Sequence, residues 1–177
     1  MTDAAIIDDK MRAAAAKFLE LCRARGFMIA TAESCTGGLV SATLTEIAGS
    51  SAVVDCAFVT YSNGAKEAML GVDKTLLQTH GAVSAQTAEA MARGALEKSG
   101  ADLVVSITGV AGPGASKDKP AGLVYFAAAA RNGKTLKSEQ RFGAIGRGPI
   151  RQKSVLQALS MLSELARSSG GEQVEQF

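Results

Sequence analysis

The chain has 177 residues, of which 47% are apolar, and a formal net charge of +2 at pH 7. This length fits one domain with a substantial core, and the near-neutral charge gives no general signal for nucleic acid or an anionic membrane. The single histidine, His80, excludes a zinc site built from several histidines. The three cysteines show no C-x-x-C spacing, which argues against a metal site with nitrogen and sulfur ligands.

The N-terminal residues 1–9 carry acidic side chains and lack the apolar segment of a signal peptide. No apolar run approaches the ~20 residues of a membrane span. We therefore expect a cytoplasmic protein without a membrane segment. In that compartment its three cysteines would stay reduced.

Apolar spacing and turn residues predict strands that alternate with helices in the first half of the chain. The predicted elements are a helix at 9–25, a strand at 27–32, a turn at 33–38, a helix from 39 to about 47, a strand at 53–61, and two short helices capped by Asn63 and Asp73. The residue His80 precedes Gly81 at the end of the second of these helices, where we expect it to have a capping role.

The pattern of the second half predicts a helix, a buried strand, a hairpin and a last helix. The predicted elements are a helix from Ser84 to Gly100, a buried strand at 103–108, a Gly/Pro loop at 109–120, strands at 123–130 and 134–142 joined at Asn132-Gly133, and a last helix opened by Pro149. This order predicts an α/β fold, a single-domain mixed β-sheet covered by helices. We expect a core at about 8–168 and a disordered tail at 169–177.

Loops that leave the carboxyl ends of strands gather at one edge of such a sheet and form the site. The first such loop is Glu33-Ser34-Cys35-Thr36-Gly37-Gly38, between a strand and a helix. A serine there would lie beside N–H groups that can bind an oxyanion or a phosphate. Capping of the helix by Ser34 or Thr36 would explain the same residues. The thiol of Cys35 could itself be the nucleophile, although most free cysteines are structural.

The second loop places Tyr61 at a strand end and Lys66 in the first turn of a helix. The positive end of the helix dipole and burial both lower the pKa of a lysine from its usual value of about 10.4. A general base needs a pKa of ~7–8, which this position could provide. A solvated surface lysine is the alternative interpretation.

The third loop, from Thr108 to Gly114, resembles a phosphate cradle that lacks the lysine of a P-loop. Two arginines on either side of Pro149, Arg147 and Arg151, could hold a phosphate. A plain tight loop and a solvated basic turn are the corresponding alternatives.

Six motifs in order give the chain a resemblance to the CinA C-terminal domain family, whose stand-alone members include nicotinamide-nucleotide amidohydrolases. The resemblance covers residues from about 8 to 168. Its motifs are Ala32–Gly38, Ala48–Ser51, Val59–Asn63 with Lys66, Leu70–Val72, His80–Ser84, and Thr108–Gly114 with Lys119-Pro120.

The resemblance implies an amidohydrolase that converts nicotinamide mononucleotide to nicotinate mononucleotide and ammonia. It also implies an α/β fold and a homodimer or higher homo-oligomer. Its implied nucleophile is Ser34, surrounded by Lys66, Ser51, Tyr61, Thr108 and Arg147.

In the mechanism that follows, Lys66 takes the proton of Ser34 directly or through Ser51 or Tyr61. Backbone N–H groups near Cys35, Thr36 or Gly37 would stabilise the oxyanion. We expect Thr108 to orient the carboxamide, and Arg147 and the loop containing Gly109 and Gly112 to hold the 5′-phosphate. This chemistry needs no metal and no organic cofactor.

Two other functions remain open at this stage. One is a catalytically silent module that binds nucleotides or regulates other proteins. The other is a role with nucleic acid, against which the absence of a basic stripe argues.

Overall fold

The computed structural model describes residues 6–116 and 118–169. They contain five strands and six helices, with one 3-10 turn at Ser50–Ala52. The strands are β1 (Ile29–Glu33), β2 (Val54–Val59), β3 (Leu103–Gly109), β4 (Leu123–Ala130) and β5 (Thr135–Arg141). The helices are α1 (Asp9–Arg25), α2 (Leu39–Thr45), α3 (Asn63–Leu70), α4 (Lys74–His80), α5 (Ala85–Lys98) and α6 (Arg147–Ser168).

The strands form one mixed sheet in the order β2-β1-β3-β4-β5. Strand β1 pairs in parallel with both β2 and β3, whereas β4 and β5 continue the sheet in antiparallel pairing. In this register Glu33 is opposite Val59 on one side and Ile107 on the other. The residues that follow these three therefore lie together at one edge of the sheet. The predicted α/β fold with an antiparallel part near the C-terminus is confirmed.

Helices cover both faces of the sheet. On one face α1, α2 and α6 enclose the main core, which includes the fully buried rings of Phe18 and Phe126. On the other face α5 packs closely on β4, because both surfaces at that contact consist largely of alanine. None of the described helices combines the length and apolar character needed to cross a membrane.

Most element boundaries follow the expected capping residues. Asp73 accepts a hydrogen bond from the Leu76 N–H at 2.9 Å, and Ser84 accepts one from the Thr87 N–H at 3.1 Å. The prediction that Asn63 caps α3 is wrong.

The residue before it, Ser62, caps α3 through a hydrogen bond from the Ala65 N–H at 3.1 Å. The last helix begins at Arg147, so Pro149 lies within its first turn, where a missing N–H costs no helical hydrogen bond. The predicted disordered tail begins at Ser169, which forms the C-cap of α6, and its remaining residues, 170–177, lie outside the described residues.

The position of α3 depends on a glycine in α5. A Cβ atom at Gly94 would lie 1.9 Å from the carbonyl oxygen of Leu70, in the last turn of α3. Only glycine therefore allows the two helices to approach this closely.

We expect Gly94→Ala to lower the free energy of unfolding by about 1–3 kcal/mol, because the clash with backbone outweighs the ~1 kcal/mol gain in helix propensity. Urea denaturation followed by circular dichroism measures the change. The matched control is Gly148→Ala in α6, where an added Cβ meets no atom within 4 Å. A Gly94→Ala variant as stable as the control would contradict this account of the helix contact.

Candidate active site

A buried lysine contacts the serine that follows β1. The Lys66 Nζ lies 3.0 Å from the Ser34 Oγ and donates a second hydrogen bond to the Thr60 carbonyl oxygen at 2.7 Å. The lysine has no exposed surface, and Ser34 is 8% exposed. The structure thus brings together the two residues expected to act as nucleophile and base.

The pairing of β1 produces this contact. The Ser34 N–H continues the β1–β3 ladder by donating to the Ile107 carbonyl at 2.9 Å. On the other side, the Thr60 N–H donates to the Glu33 carbonyl at 2.8 Å and extends the β1–β2 ladder. Helix α3 starts three residues after Thr60, so its first turns carry Lys66 back over the same sheet edge.

Burial lowers the pKa of Lys66 from 10.5 to about 8. Among the described residues no carboxylate lies within ion-pair distance of its amine. A substantial fraction of this side chain is therefore neutral near pH 8, and a neutral amine can accept the proton of a hydroxyl group. The alternative interpretation, a solvated surface lysine, therefore does not apply to Lys66.

The neighbouring thiol is a poor candidate for the nucleophile. Cys35 is 6% exposed, and burial, together with a smaller contribution from the charge of Glu33, raises its pKa to about 12. The thiol therefore stays protonated at neutral pH, and only a thiolate attacks readily.

A buried carboxylate occupies the start of α2. Both oxygens of Glu33 accept backbone hydrogen bonds, from the Val40 N–H at 3.0 Å and the Ser41 N–H at 2.9 Å, and Thr31 adds one at 3.2 Å. These N–H groups are therefore not available to a substrate anion. The alternative interpretation, in which Ser34 or Thr36 caps α2, is also wrong, because Gly38 is the N-cap and the Glu33 carboxylate accepts the hydrogen bonds of the first turn.

The turn between β1 and α2 keeps two free donors. The Gly37 N–H donates to the Ser34 carbonyl at 3.0 Å, so it cannot also bind an oxyanion. Within the described part of the chain, the N–H groups of Cys35 and Thr36 donate to no other residue. These two groups directly follow Ser34 in the chain, so they are the candidate oxyanion donors of this turn.

An arginine links two loops above the sheet edge. The guanidinium of Arg147 donates to the Gly112 carbonyl at 2.9 Å and to the Tyr61 hydroxyl at 3.2 Å. These three residues and Gly109 line a cleft of about 200 Å³. Tyr61 is 63% exposed at the rim and makes no hydrogen bond to Lys66 or Ser34. It therefore belongs to the cleft and does not relay a proton between that pair.

The glycine at position 109 has a packing role. A Cβ atom there would lie 2.7 Å from both the Leu123 carbonyl oxygen and the Val124 Cα, so Gly109 allows β3 and β4 to approach each other. The backbone at Gly112 has a φ of +78°, which favours glycine.

The structure places Thr108 and Ser51 differently from what the sequence predicted. The hydroxyl of Thr108 donates to the Ala82 carbonyl at 2.6 Å, so its proton is not available to a substrate. Ser51 is exposed in the 3-10 turn before β2. It lies at the opposite end of that strand from Thr60, about 16 Å away along the strand. Within one chain Ser51 therefore cannot relay a proton from Ser34 to Lys66.

Sequence reasoning gave no role to two residues that shape the site. A glutamate inside an otherwise uncharged buried strand is a signal for Glu33, since such a charge requires several partners. The carbonyl of Thr60 has no signal of this kind, because every residue carries a carbonyl group.

Comparisons with known proteins identify the relatives of the chain. Residues 11–166 match the family model of the CinA C-terminal domain. Nicotinamide-nucleotide amidohydrolase PncC of Enterobacter agglomerans is 44% identical over 147 residues, which are 82% of this chain and 90% of that protein. A CinA-like protein of Mycolicibacterium vanbaalenii is 46% identical over 171 residues, which are 96% of this chain but 38% of that longer protein.

Solved structures agree with this assignment. The competence/damage inducible protein CihA from Agrobacterium tumefaciens is 53% identical, with a TM-score of 0.87, over 89% of this chain and 96% of that one. A CinA superfamily protein from Klebsiella pneumoniae is 34% identical, with a TM-score of 0.85, over 89% of this chain and 98% of that one. By sequence match and by fold, this chain belongs to the CinA C-terminal domain family.

Proposed function

We propose that this protein is an amidohydrolase that converts nicotinamide mononucleotide to nicotinate mononucleotide and ammonia. The observation that carries the proposal is the buried contact of 3.0 Å between the Lys66 amine and the Ser34 hydroxyl. The similarity to a protein named nicotinamide-nucleotide amidohydrolase supports the choice of substrate. Measurement of ammonia release from this nucleotide is the direct test.

In the proposed first step, neutral Lys66 accepts the proton of Ser34 while the serine oxygen attacks the carboxamide carbon. The carbonyl oxygen becomes an oxyanion, for which the N–H groups of Cys35 and Thr36 are the available donors. Protonated Lys66 then gives its proton to the leaving nitrogen, and ammonia departs. The product of this half-reaction is an ester between Ser34 and the pyridine carboxylate.

In the second step, water attacks this ester, and Lys66 again accepts a proton. The C–O bond to Ser34 breaks, the serine recovers a proton from Lys66, and the carboxylate product leaves. We assign the phosphate of the nucleotide to the cleft beside Arg147, whose guanidinium has five N–H donors and uses two of them within the protein.

Thr108 has a different role in this proposal from the one expected from the sequence. Its hydroxyl fixes Ala82 of the loop between α4 and α5, and only its oxygen lone pairs could face a carboxamide N–H.

A homo-oligomeric state, a cytoplasmic location and the absence of a nucleic-acid partner remain predictions. Binding of the nucleotide without any ammonia release would favour the silent regulatory module instead.

Substitution of Ser34 and of Cys35 separates the two candidate nucleophiles. We expect Ser34→Ala to lower ammonia release by about 10³-fold or more, as the loss of a nucleophile does in hydrolases. Cys35→Ala is the matched control and should keep most of the activity, because that thiol is buried and protonated. Steady-state assays of both variants decide the matter. An inactive Cys35→Ala beside an active Ser34→Ala would overturn the mechanism.

The second prediction concerns pH. Because the base is the neutral form of Lys66, kcat/KM should rise with pH through an apparent pKa of about 8. Lys66→Met should fold but lose nearly all turnover, together with this pH dependence. The profile is measured from pH 6 to 10 on wild-type protein and on the variant. A variant with activity close to that of the wild type would remove Lys66 from the mechanism.

The third prediction concerns the phosphate. We expect Arg147→Ala to raise KM for the nucleotide while hardly changing hydrolysis of nicotinamide riboside, which has no phosphate. Arg167→Ala, at the exposed far end of the same helix, is the control for the loss of one positive charge. Equal losses on both substrates would show that Arg147 acts elsewhere than on the phosphate.

A further inference from the structure

The second arginine of α6 holds the turn that carries the nucleophile. Arg151 lies one helical turn after Arg147, and its Nη2 and Nε donate to the Thr36 carbonyl oxygen at 2.7 and 3.2 Å. The side chain is half-buried, and its Nη2 would be 3.8 Å from a Cβ at Gly37. Arg151, which the sequence suggested as a second phosphate ligand, is directed by these contacts to the protein backbone and does not line the cleft beside Arg147.

The contact fixes one peptide unit at both ends. The Thr36 carbonyl accepts from Arg151 and also from the Leu39 N–H at 3.2 Å. The N–H of the same peptide unit, on Gly37, donates to the Ser34 carbonyl. A peptide unit is planar, so the hydrogen bonds that fix its carbonyl oxygen also fix the direction of its N–H.

The hydrogen bond of Gly37 links this peptide unit to the one between Ser34 and Cys35. The Ser34 carbonyl is held by Gly37, and the N–H of that unit belongs to Cys35. In a trans peptide the N–H and the carbonyl point in opposite directions, so the free Cys35 N–H faces away from Gly37. The orientation of this free donor therefore depends, through two peptide units, on Arg151.

The charge of Arg151 strengthens this arrangement. A guanidinium stays protonated, and hydrogen bonds from a charged donor are roughly twice as strong as neutral ones. Hydrogen bonds in a chain also polarise one another, which makes Gly37 a better donor to Ser34.

We propose that Arg151 is a positioning residue for the hydrolysis, which acts through the Thr36 carbonyl and the Gly37 N–H to hold the N–H group of Cys35 toward the developing oxyanion. This inference rests on the proposed amide hydrolysis at Ser34. It adds a role for α6 that is separate from phosphate binding by Arg147. An interaction used only in the transition state changes kcat, whereas one used equally in the ground state changes KM.

The test compares two arginines with the same type of contact. In Arg131, Nη2 and Nε donate to the Ala101 carbonyl at 2.7 and 3.1 Å, at the opposite end of β3 from the site. Arg151→Met should lower kcat about 10- to 100-fold with KM nearly unchanged, less than the ~10²–10³-fold cost of removing an oxyanion donor itself. Arg131→Met should change stability but neither kinetic constant, and Arg151→Lys should recover part of kcat.

Each outcome decides the proposal. A raised KM with unchanged kcat in Arg151→Met would place Arg151 on the substrate, and unchanged kinetics would leave it without a role; both overturn the inference. If Arg151→Met does not fold, Arg151→Lys is measured in its place, and a kcat equal to that of the wild type overturns the inference.

A second readout separates this inference from the proposed function. The rate at which a fluorophosphonate modifies Ser34 also depends on oxyanion donors but needs no nicotinamide substrate. If the wild type reacts with this reagent but releases no ammonia, the proposed function fails, and slower labelling of Arg151→Met than of Arg131→Met still supports the inference. Equal labelling rates, or no labelling of the wild type, overturn it.

Discussion

The parallel pairing of β1 on both sides is the constraint on which the rest of the structure depends. The strand has five residues, and all of them are buried. Its neighbours β2 and β3 run in the same direction, so three chain segments leave the sheet at one edge. Ser34 leaves from the middle strand, with Thr60 on one side and Thr108 on the other. A nucleophile in the centre of such an edge can be reached by helices that return on either face.

The two faces of the sheet contribute different parts of the site. On one face α3 supplies Lys66, and this helix packs closely against α5 at Gly94. From the other face α6 reaches three loops: Arg147 contacts the loops that carry Tyr61 and Gly112, and Arg151 contacts the turn after β1. The base and the arginine that contacts the turn after β1 thus come from helices on opposite faces of the sheet.

Much of the fold could be predicted from the sequence, because turn residues separate the apolar segments clearly. The strand predicted at 103–108, which is Leu103–Gly109 in the structure, and the hairpin at Asn132-Gly133 are examples, since continuous apolar runs and an Asn-Gly pair each have few alternative structures. Choices between neighbouring residues were less secure: Ser62 and Asn63 are both good helix caps, and only the structure shows that Ser62 has the extended backbone of a cap while Asn63 is the first helical residue.

The candidate site was only partly predictable. The spacing of residues alone left the surface-lysine and helix-capping interpretations open, and the family resemblance favoured Ser34 and Lys66. It could not show that Ser51 lies at the far end of β2, since a motif states sequence order and not position on the sheet. The different partners of Arg147 and Arg151 were also not predictable, because every residue has a backbone carbonyl and the sequence does not show which one an arginine contacts.

The burial of Lys66 has a consequence for folding thermodynamics. The unfolded chain holds the proton of this amine up to a pKa near 10.5, whereas the folded chain releases it near 8. Between these values the unfolded state binds more protons, so this group makes the folded protein more stable as pH rises and penalises it below pH 8. The amine that serves the chemistry therefore opposes folding at neutral pH, and the packing of the surrounding helices must offset it. Stability and activity therefore place opposite demands on this position, since an apolar side chain there would avoid the cost of burying a charge but could not act as the base.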